Sequence, residues 1–334
     1  MNQQSNDTFK SGKPLVTVVL PTNGRIDYLR EAIDSVRKQS FTDYLVLVGD
    51  NGASDTCAKL VDQTDDPRFS YVRHPVNLGA QGNWLELVRL SRTELIATLH
   101  DDDVWHPDFL DSLLPPMLAD STLSMCFGDF NLIDRKGATL SVAARELSHR
   151  THRDVMPAGP MHPSLEDGLR LVAVWNAPNP AICAVIRRQA ILDTEFPQQT
   201  APLYDLWLDY QLVKRGARFH FVPGKHSDYR IHAASATSAG FAAPEDYIFN
   251  TILSENANAG PVLDEIRAYW AQIRWGRAIR KMNSHENRID SQRELLAAAP
   301  LQPNPIKRLI AVLAGHSSTA WNLFRLMRSL KPKR

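Results

Sequence analysis

The run His100-Asp101-Asp102-Asp103 stands directly after the apolar stretch Leu95-Ile96-Ala97-Thr98-Leu99, and three carboxylates at a strand end need a reason to be together. A hard divalent cation supplies one. Mg²⁺ and Mn²⁺ prefer oxygen ligands, and Mg²⁺ takes one or two carboxylates and completes its shell with water and substrate phosphate. The junction of strand and loop suits that work, because open α/β sheets bind ligands at the carboxyl ends of their strands. A solvated acidic turn explains an isolated Asp triplet just as simply, so the neighbouring segments must decide.

Those segments alternate between strand and helix. Leu15 to Leu20 is short and β-branched and stops at Pro21-Thr22-Asn23-Gly24, which predicts a buried strand and a tight loop. Ile26, Leu29, Ile33 and Val36 recur at helical spacing, with Thr22 or Asn23 as the cap. Tyr44 to Val48 reads as a second buried strand ending in the turn Gly49-Asp50-Asn51-Gly52-Ala53-Ser54-Asp55, before a helix around Thr56 to Asp62. Phe69 to Val72 is a third strand, Asn83 to Leu90 a helix, and Glu94 to Leu99 a fourth strand. Such alternation predicts parallel strands with helices on both faces, and the loops after strands one, two and four then share one crevice. Those loops carry Thr22-Asn23-Gly24-Arg25, Asp50-Asn51 and Asp101 to Asp103.

Beyond residue 113 the pattern loosens. Met125 to Phe130 reads as a strand, residues 137–164 as a polar loop region, Glu166 to Val174 as a helix and Ala181 to Ile186 as a buried strand. Leu206 to Lys214 reads as a helix, and Arg218 to Val222 as a strand leading to Asp228-Tyr229-Arg230-Ile231-His232. Residues 245–297 look helical, and Pro303 with Pro305 sets them off from a final amphipathic stretch.

Composition narrows the class. The 334 residues are 43% hydrophobic and 22% charged, ordinary globular material with a net charge of +1, which argues against bulk nucleic-acid binding. The charge is unevenly spread: residues 301–334 hold seven Lys/Arg and no Asp or Glu, and the remainder carries 31 Lys/Arg against 37 Asp/Glu. Cys57, Cys126 and Cys183 are few, odd in number and far apart, which fits neither a disulfide framework nor a zinc knuckle and predicts a reducing compartment. Met1 to Gly12 is polar and lacks the apolar centre of a signal peptide. The expected location is the cytoplasm.

Taken together the segments resemble the family 2 glycosyltransferases of GT-A fold. Val18-Val19-Leu20-Pro21-Thr22-Asn23-Gly24-Arg25 resembles the family's opening strand and Pro-Thr-Tyr-Asn-Arg loop, and Asp50-Asn51-Gly52-Ala53-Ser54-Asp55 its Asp-Asp-Gly-Ser-Thr-Asp turn. Asn77-Leu78-Gly79 with Gly82-Asn83-Trp84 resembles the Asn-x-Gly segment, and Asp101-Asp102-Asp103-Val104-Trp105 with Pro107 the DXD motif and its trailing Trp-x-Pro. Tyr204-Asp205-Leu206-Trp207-Leu208 and Tyr229-Arg230-Ile231-His232 resemble the later acidic helix and the Tyr-Arg-x-His segment. The resemblance implies a doubly wound, Rossmann-like mixed sheet with helices on both faces and a C-terminal helical extension. It places a flexible tail at 1–13, the transferase domain at 14–235 (nucleotide half 14–112, acceptor half 113–235), and the extension at 236–334 with its basic amphipathic tail at 301–334.

The same resemblance implies a metal-dependent, inverting transfer from a nucleotide-diphosphate sugar to a hydroxyl, in surface polysaccharide, O-antigen or glycolipid assembly. Asp50 would contact base or ribose with Pro21, Thr22, Asn23 and Arg25 beside it, and the alternative for Asp50 is an Asx-turn or helix cap. Asn77, Gly79 and Asn83 would line the diphosphate and sugar, where glycine permits close backbone approach and amides bond hydroxyls; Asn83 as a helix N-terminal residue is the alternative. Trp84 and Trp105 read as core or cleft wall. Asp103 is the expected direct ligand of Mn²⁺ or Mg²⁺, with Asp101 reaching ribose or ligated water, His232 completing the metal or diphosphate site, and Asp102 and Arg230 on the donor.

Asp205 is the expected base, removing a hydroxyl proton as that oxygen attacks the anomeric carbon; its alternative is a helix N-terminal acid. Relatives carry Glu-Asp or a single Asp two positions earlier, where this chain has Pro202-Leu203, and Asp209 and Glu195 are substitutes. Arg187 and Arg188 stand either on the acceptor side or in solvent, and Asn176 to Pro180 forms the acceptor-facing loop. In 301–334, aliphatic and aromatic residues among unopposed cations suit an anionic membrane surface and a lipid-linked acceptor, or a helix docked on its own domain. Two other readings remain: a sugar-nucleotide-binding scaffold without a base, and a nucleotidyltransferase, which lacks here the Gly-rich basic opening loop. No G-x-G-x-x-G follows the first strand, against a nicotinamide dehydrogenase.

Overall fold

A computed structural model describes residues 14–52, 55–232, 242–283 and 288–329. The expected tail at 1–13, the junction 233–241 and residues 330–334 lie outside the described residues. The chain divides into two compact units, Met1–Ala239 and Gly240–Arg334.

The first unit is built on β1 (Val16–Thr22), β2 (Tyr44–Asp50), β3 (Phe69–Arg73) and β4 (Leu95–Thr98), with α1 (Ile26–Arg37), α2 (Asp55–Asp62) and α3 (Gly79–Leu90) between them. These four strands are parallel in the order β3-β2-β1-β4. Val16, Val18 and Leu20 of β1, with Val46 and Val48 of β2, are fully buried beneath Leu29, Ala32, Ile33 and Val36 of α1. Thr17 and Val19, on the other face of β1, are buried as well, the pattern of a strand covered on both faces. The register pairs Thr22 with Asp50 and Val19 with Thr98, so the carboxyl ends of β1, β2 and β4 form one edge.

The sheet continues without a break into the expected acceptor half. It adds β5 (Val104–Trp105), β6 (Leu123–Ile133), β7 (Gly159–Met161), β8 (Ala184–Arg187) and β9 (Arg218–Arg230). β8 lies antiparallel between β4 and β6, while β9 runs parallel to β6 and pairs with β5 and β7. The antiparallel run of β8 brings its amino end, and the turn from Asn179 before it, to the site edge. Asn179 C=O there accepts both the Ile182 and Cys183 N–H groups at 3.1 Å.

Several elements differ from expectation. Residues 137–164 are not a plain loop: they hold α5 (Ser141–Arg150) and β7. Ala144 is buried and Ala143 and Leu147 pack on the core, a sparse apolar stripe masked by Arg, Glu and His. α3 starts at Gly79 rather than Asn83, because Gly79 at φ +71° turns the chain into the helix in a region only glycine enters readily. Neither Thr22 nor Asn23 caps α1, whose flanking residue is Arg25 without a side-chain cap bond. β9 is one continuous strand, with its register shifted between Gly128 and Phe130 of β6.

After α4 (Phe109–Ala119) and α6 (Leu165–Leu169), the helices α7 (Arg188–Leu192) and α8 (Tyr204–Lys214) flank the acceptor side of the sheet. The second unit consists, among the described residues, of the helices Ala242–Glu255, Val262–Asn283, Arg288–Ala298, Pro305–His316 and Ser318–Ser329. Arg277 pairs with Glu245 and Glu294, and Arg274 with Asp246 at 2.5 Å, inside this helical unit. The expected final amphipathic stretch is therefore two helices broken at Ser317. Asn304 caps the first by accepting from Lys307 N–H at 3.0 Å, with Pro305 at its first position. No described helix is long and apolar enough to cross a membrane. The three cysteines are free and buried.

Candidate active site

The edge formed by β1, β2 and β4 gathers the acidic residues. Asp50 ends β2 fully buried; its carboxylate accepts from Gly52 N–H at 2.6 Å and from the Tyr71 hydroxyl at 2.7 Å. The first of these is an Asx-turn bond, so the turn and a ligand-facing role are not exclusive. Burial pushes the Cys57 thiol up to about 12, and the carboxylates of both Asp50 and Asp101 act on it. One sulfur thus lies within electrostatic reach of acids from two different strand ends.

Asp101 is buried and its carboxylate is already engaged. Thr22 Oγ1 donates to it at 2.6 Å, Asn23 N–H at 3.4 Å, and the Arg25 guanidinium through Nε at 3.1 Å and through a terminal nitrogen. Arg25 also reaches Asp102 Oδ2 at 2.8 Å, bridging two consecutive carboxylates in charge-assisted bonds. Asp103 is held differently: Oδ1 accepts from Arg230 N–H at 2.9 Å, while Oδ2 is buried with no hydrogen-bond partner. Burial and the adjacent Asp102 and Asp101 charges raise its pKa well above the ordinary carboxylate value. One ligand atom from each of His100, Asp102 and Asp103 lies within 4.8 Å of the others.

This donor set, two carboxylates and an imidazole around an orphaned buried oxygen, fits a hard divalent cation. It differs from the expected set. Asp101 is turned to Thr22 and Arg25, and His232 Nε2 bonds Asp102 Oδ2 at 3.1 Å, supporting a carboxylate of the cluster. His100 is the member that sequence reasoning passed over, although it begins the same run.

His100 Nε2 also meets the Tyr204 hydroxyl at 2.8 Å. Tyr204 is buried and stacks on Trp84 with centroids 4.6 Å apart, and Trp84 donates its indole N–H to Thr98 at 2.9 Å. Burial, together with the charges of Asp205, Asp102 and Asp103, raises the Tyr204 pKa well above its usual value; it therefore stays a neutral hydroxyl between the cluster and α8. Asp205 stands in the first turn of α8 and accepts from Leu206 N–H at 2.9 Å. Burial raises its pKa and the nearby His100 opposes the shift.

Other expected residues occupy different places. Asn83 is buried inside α3, donates to the Thr22 and Gly49 carbonyls at 3.2 and 2.8 Å, and meets His74 Nε2 at 2.9 Å. Its side-chain NH2 ties β1 to β2, and its Oδ1 meets the residue that follows β3. Arg230 is engaged by protein groups as well. Its buried guanidinium lies over the Tyr28 ring, donates to the Asp102 carbonyl at 2.8 Å and pairs with Glu31 at 2.6 Å, so it fixes the backbone of the acidic loop.

Asn77 and Gly79 are exposed at the edge. Asn77 Oδ1 accepts from Gly79 N–H at 2.8 Å, and Asn51 clamps the same loop through Leu78 N–H at 3.0 Å and Gly79 C=O at 2.9 Å. Pro21 is half-buried, opposite Gly49. Trp84 and Trp105 are core residues, Trp105 stacked on Phe109 at 3.8 Å. Arg187 and Arg188 sit at the far end of the sheet from the site, opposite Leu95 and beyond. They donate to the carbonyls of Met117 and Val88, capping helix C-termini while remaining partly exposed.

Residues 17–154 match the family described as Glycosyl transferase family 2. Over 132 residues, 38% of this chain and 46% of the relative, the chain is 30% identical to an uncharacterized glycosyltransferase of Methanocaldococcus jannaschii. Over 120 residues, 36% of this chain and 47% of the relative, it is 26% identical to WfgD of Escherichia coli, a UDP-Glc:alpha-D-GlcNAc-diphosphoundecaprenol beta-1,3-glucosyltransferase. The matches thus span less than half the length of these curated relatives. The crystal structure of S. aureus TarS 1-349 superposes with a TM-score of 0.62 over 96% of this chain and 93% of that one, at 14% identity. Its complex with UDP-GlcNAc superposes at 0.63, over 93% and 89%, also at 14% identity. The fold is GT-A, and the family match covers residues 17–154, less than half of the chain.

Proposed function

We propose that the chain is a glycosyltransferase that moves a sugar from a nucleotide-diphosphate sugar to a hydroxyl of a saccharide or lipid-linked acceptor. The transfer inverts the anomeric carbon, depends on Mn²⁺ or Mg²⁺, and serves cell-surface polysaccharide or glycolipid assembly. The observation that carries the reading is the gathering of Asp50, the His100-Asp102-Asp103 cluster and Asp205 at one sheet edge, with Tyr204 linking the last two.

Asp50, Pro21, Thr22 and Asn23 would take the nucleoside, whose hydroxyls and base N–H groups a carboxylate can accept from. Asn77 and Gly79 would border the diphosphate and sugar. His100, Asp102 and Asp103 would hold the cation, which when bound offsets the charge growing on the departing diphosphate. Arg25 keeps Asp101 and Asp102 side by side. Asp205 takes the acceptor's hydroxyl proton as that oxygen bonds to the anomeric carbon and the bond from that carbon to the phosphate oxygen breaks, its electron pair leaving with the nucleoside diphosphate. The raised pKa of Asp205 suits a base that must hold this proton until it passes to water.

WfgD, by its name, uses UDP-Glc and a diphosphoundecaprenol-linked sugar, and TarS has been crystallised with UDP-GlcNAc. UDP-sugars and a polyprenyl-diphosphate sugar are therefore the first donor and acceptor to try. With Mn²⁺ present, acceptor-dependent release of UDP and a lengthened acceptor are expected. Pyrophosphate release instead would assign a nucleotidyltransferase. A donor that binds without ever being turned over would assign a scaffold.

A further inference from the structure

The last two described helices have two apolar faces each. In Pro305–His316 one face is buried: Ala311 and Ala314 cluster with Ala278, Leu295 and Ala299, and Gly315 lies beside Leu296. In Ser318–Ser329 the equivalent face is Trp321 and Phe324. The docking that amphipathicity predicts for a surface helix is complete with these residues. On the opposite side stand Ile306 at 68% exposure, Leu309 at 58% and Leu313 at 53%, spaced three and four apart, and Leu323 at 57% with Met327 at 49%. Single exposed leucines need no explanation, but a strip along two successive helices does.

Charge identifies the occupant. Lys307 and Arg308 flank the first strip and Arg328 follows the second, and neither of these helices carries an acidic residue. A second copy docking by two-fold symmetry would set this basic surface against itself. A bilayer containing anionic lipid offers both an apolar layer for the leucines and headgroup charge for the cations. We propose that the outward faces of these two helices are a docking surface for an anionic lipid bilayer. The inference stands apart from the transferase reading, because binding is measured without donor or acceptor.

The test is sedimentation of the full chain with phosphatidylcholine vesicles, with and without about 30% phosphatidylglycerol. Wild type is expected to sediment with the anionic vesicles, and more weakly as salt rises. Replacing Leu309, Leu313 and Leu323 together by Ser should weaken binding at least ~10-fold with an unchanged melting curve. Should that variant fail to fold, Lys307→Gln with Arg308→Gln decides, with binding expected to fall roughly 10-fold. The proposal is overturned if wild type stays in solution with anionic vesicles, or if the folded variants bind as wild type does. A wild-type dimer that the serine variant converts to monomer would assign the surface to a second copy and overturn it equally.

Discussion

At the ends of β1, β2 and β4, carboxylates are held by partners: Asp50 by Gly52 and Tyr71, Asp101 by Thr22, Asn23 and Arg25. In α8 they are not. Asp205 accepts one backbone N–H, and Asp209, one turn further on and fully buried, has no partner for either oxygen. The first arrangement fixes acceptors in space for a ligand to find, as binding requires. In the second, burial dominates: it raises the pKa of Asp205 against the opposing His100, and with the Asp205 charge it pushes that of Asp209 well above the ordinary range; this suits groups that gain and lose a proton. The edge thus holds satisfied carboxylates at Asp50 and Asp101, and deprived ones both at Asp103, beside the proposed cation site, and in α8, where the proposed proton transfer takes place.

The comparison is tested most severely at Asp205. Asp205→Asn should leave donor affinity within about 2-fold while lowering turnover by roughly 100-fold or more, the scale of general-base loss. In wild type the acid limb of the rate profile should lie above the ordinary carboxylate range of about pH 4, since the base works only once ionised and burial raises its pKa. Turnover by the Asn variant near the wild-type rate would move the role elsewhere.

A smaller effect is expected from the strut behind the binding half. Asn83→Ala removes three hydrogen bonds and leaves the Thr22 and Gly49 carbonyls with His74 less satisfied. It should cost about 2 kcal/mol in denaturant unfolding and weaken donor binding only through the loop it supports. Full loss of donor binding in a variant of undiminished stability would return Asn83 to the ligand.

The smallest expected effect concerns Asp209. Its raised pKa means that the folded chain retains a proton the unfolded chain gives up. The associated stability is whole below the unfolded value of about 3.9 and is lost as pH rises through the folded value. Asp209→Asn imitates the neutral form. Its melting temperature should exceed that of wild type at pH 7 by at least about 2 °C, the shift that ~1 kcal/mol produces in a domain of this size, and the gap should close near pH 4. A gap independent of pH would show that Asp209 does not titrate in this way.

Legibility in the sequence followed the same division. The binding half was readable because each acidic loop directly follows a short β-branched run, so position along the chain gives position in space: Thr22, Asp50 and Asp101 to Asp103 meet through register alone. What local spacing does not show is which of its polar side chains the fold itself engages. Asn83 and Arg230 have the chemistry of ligand contacts, but in the fold the Gly49 carbonyl and Glu31 engage them. The acceptor half depends on contacts distant in sequence. The His100 to Tyr204 bond spans 104 residues, and no local spacing announces it. α5 was missed because its buried stripe is three small or aliphatic residues wide, and the burial that stabilises it is supplied by β6.

The most direct test is calorimetric titration of UDP into wild type and Asp103→Ala, with and without Mn²⁺. The account predicts that Mn²⁺ tightens UDP binding to wild type by about 10-fold or more, and that Asp103→Ala keeps the weak metal-free affinity but loses the enhancement. Full Mn²⁺ enhancement in Asp103→Ala would contradict it.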